Sequence, residues 1–327
     1  MIADLTVAQE NFENLAKYYS QGQFGLNWDL VFTLPAFLKV WWQNFNAGAE
    51  LYLASVKRQD QIIGLAPLQI RNGTASIIGS TDVCDYQDFI VVRGLERDFF
   101  SSLLDDLRRK GIPKLHLETL RPDSAVVTYL MPLAGMREYR IDYHQVDVSS
   151  DLVLPPDWAE YLKMLNSKQR HELRRKMRNL QDIGDTHYRT LEGENASRAI
   201  ESFLNLFPES RTDKARFMTP AMQNFFRSLA EALADVHILK FGSLEAGPRV
   251  IAMVMYFDYR NNIYLYNSAY DPAYESLSAG IISKARCIQD SIGKGKIKFD
   301  FLKGSEKYKS YLGGQEIPLY CCDISAQ

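Results

Sequence analysis

The stretch Tyr270-Asp271-Pro272-Ala273-Tyr274-Glu275-Ser276-Leu277-Ser278-Ala279-Gly280 decides how this chain is read. Before it, residues 263–266 read as a strand behind the Asn261-Asn262 turn. After it, Ile281, Ile282, Ala285, Ile288 and Ile292 recur at helical spacing until Gly293 and Gly295 end the helix. A strand therefore feeds a loop that finishes in small residues and opens a helix over 281–292. The first turn of a helix leaves unpaired N–H groups and a partial positive charge. Small residues let a phosphate approach those donors. There is no Walker lysine motif and no GxGxxG, and many strand–loop–helix units bind nothing.

The segment that follows adds chemistry. Residues 298–302 read as a strand and 306–311 as a short helix. Asp300 lies among Phe299, Phe301 and Leu302. A carboxylate in that setting is either buried and paired or sits at the open end of a sheet. Glu306 and Tyr308 are candidates for proton transfer, and Lys303 and Lys309 for anion contact. Asp300 reads equally as a partner for backbone N–H groups.

Further out, residues 236–241 and 250–257 read as a hairpin around 242–247, and 317–324 as a last strand. The first half of the chain follows a similar plan. Helices are expected over 6–19 and 35–45, the second with Phe37, Trp41 and Phe45 on one face. Strands are expected over 51–56, 61–70, 75–78 and 89–92, then a helix over 98–110 with Phe99, Phe100, Leu103, Leu104 and Leu107 inward, then a strand over 114–118. The run Lys110-Gly111-Ile112-Pro113-Lys114-Leu115-His116-Leu117 lines up with Lys294-Gly295-Lys296-Ile297-Lys298-Phe299-Asp300-Phe301. His116 thereby takes the place of Asp300. The shared order implies a duplicated mixed α/β fold. A length of 327 residues suits two domains. The expected divisions are 1–150, a connecting helix region 151–190 whose boundary Pro155-Pro156 marks, and 191–327.

The run Tyr270-Asp271-Pro272 … Leu277-Ser278-Ala279-Gly280 … Phe299-Asp300-Phe301-Leu302-Lys303-Gly304-Ser305-Glu306-Lys307-Tyr308-Lys309 resembles the C-terminal signature of the CelD-type, cellulose-biosynthesis-associated acetyltransferases of the GNAT superfamily. Phe37, Trp41-Trp42, Ile63-Gly64-Leu65-Ala66-Pro67-Leu68 and Asp85-Tyr86-Gln87-Asp88 are similar to its earlier pattern. The resemblance covers roughly residues 35–313. It implies two tandem GNAT-like domains, as in the Fem-type aminoacyl transferases, and acetyl-CoA or another acyl-CoA as cosubstrate. It implies that the strand through Tyr266 and Tyr270 lies along the pantetheine arm, and that Ser278, Ala279 and Gly280 hold the pyrophosphate. The usual GNAT loop is Arg/Gln-x-x-Gly-x-Gly/Ala; this loop has no Arg or Gln and carries Glu275, and CelD-type sequences commonly have Pro at the place of Ala279. The first domain has the bulky Arg93-Gly94-Leu95-Glu96-Arg97 at the corresponding position, so the second domain alone is expected to bind CoA.

The reaction so implied is N-acyl transfer to a small or glycan-linked amine, for instance in making polysaccharide or cell-envelope precursors. An amine must lose a proton before it attacks a thioester. The resemblance places Tyr308 where GNAT enzymes keep the proton donor for the leaving thiolate, with Tyr311 next to it. Asp300 and Glu306 are the candidates for the base or for orienting the amine. No GxSxG motif occurs and no Cys has a His partner within a motif, so no covalent intermediate is expected.

A helix expected over 158–183, capped by Asp157 with Glu160, carries Leu162, Leu165, Leu173, Met177 and Leu180 on one side. Its other side is basic: from Lys163 to Arg178 seven cationic residues face the single Glu172, a local +6 in a chain of net charge −2. Arg170, Arg174 and Arg178 form an i, i+4 ridge. This is a solvated face, or a face for an anionic acceptor with Arg170, Arg174 and Arg211 as contacts, or a nucleic-acid or membrane surface. The near-neutral total argues against a general nucleic-acid protein. The ridge keeps open a Fem-like transferase that uses aminoacyl-tRNA, and the altered loop keeps open a non-catalytic binding module.

The four cysteines, Cys84, Cys287, Cys321 and Cys322, form no CxxC, and the adjacent pair is far in sequence from any His; no metal site is expected. Met1-Ile2-Ala3-Asp4-Leu5 has no basic region followed by an apolar one, and no apolar run approaches a membrane span. A cytoplasmic protein is the expectation.

Overall fold

The computed structural model describes residues 5–234 and 236–326. Residues 1–4, on which the absence of a leader was partly read, lie outside the described residues. The chain forms two compact units, Met1–Val148 with Pro318–Gln327, and Ser149–Ile317.

The first unit contains β1 (Leu5–Gln9), α1 (Phe12–Ser20), α2 (Pro35–Phe45), β2 (Glu50–Arg58), β3 (Gln61–Arg71), β4 (Thr74–Ile77), β5 (Ile90–Val91), α3 (Glu96–Arg109), β6 (Lys114–Leu120) and α4 (Met131–Met136). The helix expected over 6–19 is instead a strand and a shorter helix. Asn11 explains the change: its side chain accepts the Asn14 N–H at 2.8 Å, so the helix starts after it. Leu5 and Val7 alternate onto the core face of a strand paired with β2. The α3 stripe Phe99, Phe100, Leu103, Leu104 and Leu107 is fully buried, as expected. Phe99 rests on Gly64 of β3, where a Cβ would lie 2.3 Å from its ring.

The second unit begins within β7 (Arg140–Val153). It continues through α5 (Trp158–Met164), α6 (Ser167–Gln181), β8 (Thr186–Leu191), α7 (Glu194–Ser210), α8 (Thr212–Phe217), α9 (Pro220–Ala234), β9 (Leu239–Ala246), β10 (Arg249–Tyr259), β11 (Asn262–Tyr270), α10 (Ala279–Gly293), β12 (Lys298–Lys303) and α11 (Lys307–Tyr311). The last strand, β13 (Gln315–Ser325), returns to the first unit. The units divide at Val148/Ser149, close to the expected 150, but 151–190 lies inside the second unit rather than between two domains, and 318–327 belongs to the first. The single helix expected over 158–183 is two, because Asn166 and Gln169 form a reciprocal capping box with both bonds at 2.9 Å. Asp157 caps α5 as expected.

Both units share one strand plan. In the first, β1, β2, β3 and β4 are successively antiparallel, α3 crosses over, and β6 lies parallel to β4. In the second, β8, β9, β10 and β11 are antiparallel, α10 crosses over, and β12 lies parallel to β11. The parallel registers coincide: Thr74 with Lys114 through Ser76 with His116, and Asn262 with Lys298 through Tyr264 with Asp300. His116 and Asp300 are therefore equivalent positions. The sixth strand is exchanged. β13, which follows β12 in sequence, pairs antiparallel with β6, and the end of β7, which follows β6, pairs antiparallel with β12.

Candidate active site

In the second unit, β11 and β12 pair only from Asn262–Tyr264 to Lys298–Asp300, although the strands run on to Tyr270 and Lys303. Beyond Tyr264 and Asp300 they part. Two local features cause this. Met255 pairs with Asn267 but Tyr256 with Leu265, so Tyr266 is an extra residue that bends β11. On the other strand the pairing with β7 breaks between Asp300 and Lys303, where Leu302 adopts a left-handed φ of 61°. Asp300, fully buried, marks the apex: its Oδ1 accepts the Leu302 N–H at 2.9 Å and its Oδ2 lies 3.4 Å from Lys298 Nζ. Strand neighbours that bend apart give the carboxylate a backbone-holding task.

The parted stretch of β11 finds other partners. Ser210 Oγ, at the end of α7, accepts the Tyr270 N–H at 2.8 Å and donates to the Tyr270 carbonyl at 3.0 Å. Lys214 Nζ, from α8, donates to the Ser268 carbonyl. A backbone acceptor that lacks a strand neighbour must be satisfied in some such way.

The loop after β11 is pinned before α10 begins. Asp271 accepts the Ala273 N–H at 2.9 Å and pairs with Arg249 of β10 at 2.6 Å. Ser278 enters the helix at φ 59°, ψ 34°. Ile281 and Ile282 both donate to the Ser278 carbonyl, so the amides of Ala279 and Gly280 precede the intrahelical ladder. Gly280 lies under the Tyr270 ring, where a Cβ would stand 3.0 Å from Cδ1. The small residue at 280 makes room for the Tyr270 ring. The amides of Ala279 and Gly280 are donors of the kind a phosphate-bearing substrate takes, without the basic side chain of the usual GNAT loop.

Charged side chains gather beside this wedge. Lys284 of α10 is buried; its Nζ donates to the Gly280 carbonyl at 2.8 Å and lies 4.7 Å from the centroid of the Tyr308 ring. Burial, reinforced by the nearby Lys214, lowers its pKa to about 7. Lys214 is lowered to about 8, mainly by burial and then by Arg211. The Glu306 carboxylate acts on both lysines in the opposite sense. These are amines whose charge changes near neutral pH, a property concentrated at functional sites.

The sequence-derived residues fall in different places. Tyr270, Ser278, Ala279 and Gly280 surround the helix entry, and Glu306 and Tyr308 lie beside Lys284. Tyr266 is a core residue, packed on Phe257 at 4.7 Å and Phe226 at 5.9 Å between centroids. Lys309 was expected to contact an anion. It is buried, and its ammonium donates to the carbonyls of Leu302, Lys303 and Gly304 and pairs with Glu306 at 3.0 Å, so all three of its protons are engaged within the turn. Arg211 forms a two-pronged pair with Asp213, both bonds at 3.0 Å. Arg170 donates to the Leu162 carbonyl at 3.3 Å, whereas Arg174 is exposed on α6. Lys303 is half-buried at the end of β12. The sequence reading missed Ser210 and Lys284. Lys284 was within reach: it interrupts the apolar stripe at i+3 from Ile281.

Residues 167–310 match the family model described as an acetyltransferase (GNAT) domain. With the repeated strand plan, the architecture is the expected mixed α/β one of tandem GNAT-like units. The structure of FemX superposes with a TM-score of 0.66 at 10% identity, covering 97% of this chain and 96% of that one. The structure of L-PGS from Bacillus licheniformis gives 0.61 at 12% identity, covering 96% and 92%. A conserved protein from Bacteroides thetaiotaomicron gives 0.60 at 11% identity, covering 99% and 100%. These likenesses show the fold alone. Comparison with curated proteins gives no match. No helix among the described residues is long and apolar enough to cross a membrane.

Proposed function

We propose that the second unit transfers an acyl group from an acyl-CoA thioester to the amine of a small or glycan-linked acceptor. The observation that carries this reading is the parting of β11 and β12 at Tyr264 and Asp300, next to a helix entry built from Ser278, Ala279 and Gly280. The thioester supplies an activated carbonyl. The wedge offers backbone groups to the pantetheine arm, and the amides at the start of α10 offer donors to the pyrophosphate.

The acceptor nitrogen attacks the carbonyl, the C–N bond forms and the C–S bond breaks. Lys284, neutral above about pH 7, takes the proton from the amine. Tyr308 gives its proton to the departing sulfur. Lys284 Nζ lies 4.7 Å from the centre of the Tyr308 ring; Lys284 then releases its proton to solvent and the Tyr308 phenolate takes one back, so both return to their starting state. Glu306 orients the incoming ammonium, and Asp300 holds the apex. Acetyl-CoA and an amine of a polysaccharide or cell-envelope precursor are the substrates we assign to the site.

A thermal-shift series with acetyl-CoA and longer acyl-CoAs, followed by label transfer to an amine panel, tests this. A rise in Tm with a CoA ester and labelled N-acyl product support it; no response to any CoA ester overturns it. A second reading, transfer from aminoacyl-tRNA, is favoured by Arg174, Arg175 and Arg178, all exposed on α6. Its mark is a response to tRNA that salt screens, without one to CoA esters.

A further inference from the structure

We propose that His116 Nδ1, Cys321 Sγ and Asp323 Oδ1, on one face of the first unit, form a binding site for a tetrahedral transition-metal ion of the zinc class. The sequence reading set a metal aside because the cysteines are far in sequence from any histidine. Strand pairing removes that distance. β13 lies antiparallel to β6 with Asp323 opposite His116, and Cys321 is two residues along, hence on the same face.

The opposite face is the core, into which Leu115, Leu117, Cys322 and Ile324 point. Cys321, itself buried, turns its thiol toward His116 rather than into that cluster. The three ligand atoms all lie within 4.8 Å of one another. Nδ1 is 3.0 Å from Oδ1 and 4.0 Å from Sγ. A tetrahedral ion with bonds of about 2.0–2.3 Å spaces its ligands about 3.3–3.8 Å apart, so shifts below an ångström close the site.

The surroundings suit a cation. Glu118 Oε1 is 3.6 Å from His116 Nε2, the ring nitrogen that a metal on Nδ1 leaves protonated. A carboxylate there fixes the tautomer and strengthens the ligand. On binding a divalent ion the Cys321 thiol gives up its proton to solvent. Lys114 Nζ, 2.9 Å from Asp323 Oδ1, currently supplies part of the positive charge. The imidazole and the Asp323 carboxylate are about one third and one quarter exposed, so an ion can reach them. Imidazole with thiolate and carboxylate is a donor set for zinc or cobalt rather than for magnesium or calcium. Three protein ligands leave a fourth position for water. The ion would fasten the final strand to β6, across more than two hundred residues of chain.

The test uses the full chain freed of metal by a chelator and titrated with Co2+, then with competing Zn2+. The expected result is one equivalent of Co2+ bound, with a thiolate-to-cobalt absorption band and the intense visible bands of a tetrahedral ion, displaced by Zn2+. Cys321→Ser should abolish the thiolate band, and His116→Ala should weaken binding at least tenfold. The wild-type protein alone also decides the question, should a variant misfold: Zn2+ should raise its Tm and protect Cys321 from alkylation, read by mass spectrometry. Absence of the thiolate band and of Cys321 protection in folded wild-type protein would overturn the proposal, as would unchanged Co2+ spectra in folded Cys321→Ser.

Discussion

The Lys284 ammonium stands 4.7 Å from the centre of the Tyr308 ring and donates to the Gly280 carbonyl, so one side chain links the helix entry to α11. Replacing it with Met should lower kcat roughly 10²-fold while changing acyl-CoA affinity less than twofold. In the wild type, kcat should rise with pH through about 7, the lowered pKa of this group. Steady-state kinetics over pH 5.5–9 (roughly the usable range), with direct CoA titration, would show both. An unchanged pH profile in Lys284→Met would remove it from proton transfer.

The same group governs a stability window. Its folded pKa of about 7 lies below its ordinary 10.5. Below about 7 both states carry the charge, and the fold bears the full cost of burying an ammonium. Between the two values the unfolded chain binds more protons, so stability contributed here grows as pH rises, and above 10.5 the cost is gone. Lys284→Met should therefore melt higher than wild type at pH 6 (about one unit below the shifted value), with the gap narrowing toward high pH. Calorimetry at several pH values measures the gap.

Tyr308→Phe should slow turnover and leave acyl-CoA affinity nearly intact, because the ring remains and only the hydroxyl proton is lost. Combined with Lys284→Met, the two losses should fall well short of multiplying, as for groups that act as one unit. Full activity in Tyr308→Phe would assign the thiolate's proton to another source.

Ser278 and Gly280 separate backbone from side-chain recognition. Ser278→Gly relieves a left-handed residue and should stabilise the fold by about 1 kcal/mol while preserving CoA binding, since the donors are amides. Gly280→Val should abolish CoA binding, because even its Cβ meets the Tyr270 ring at 3.0 Å. Titration calorimetry of both variants tests the pair.

Gly242, expected in the turn over 242–247, lies inside β9 beneath Tyr188, where a Cβ would be 2.0 Å from the hydroxyl oxygen and 2.7 Å from Val254 Cγ2. Gly242→Ala should destabilise by roughly 1–3 kcal/mol through overpacking. Tyr188→Phe in that background should recover part of the loss, as read by urea denaturation.

Much of the second unit could be read from the chain itself, because its strands and α10 are bounded by turns and carry strong apolar periodicity. The duplication is legible from the shared order of elements together with eight aligned residues, and the register of His116 and Asp300 repeats it in space. The helices α7 to α9 have no counterpart among the expected elements, and β1 overlaps the helix expected over 6–19 because Leu5 and Val7 alternate over too short a span. Lys309 shows a deeper limit. Its sequence position says cation, but whether a cation meets solvent or three carbonyls depends on how the Leu302–Gly304 turn closes. The wedge itself has no sequence sign, since it arises from an extra residue, Tyr266, in one ladder and a left-handed Leu302 that breaks another.

The exchange of final strands bears on how this protein comes into being. The nascent first repeat leaves the ribosome without the strand that borders β6, and roughly 170 residues must follow before that strand is made. At about 5–20 residues per second this means a wait on the order of ten to thirty seconds with one sheet edge open. A fragment ending near residue 148 keeps that open edge for good, which makes it a template for strand addition by other chains rather than a free-standing half. Cutting this protein into its two repeats would therefore yield aggregates where cutting along the true units requires a circular rearrangement of the gene.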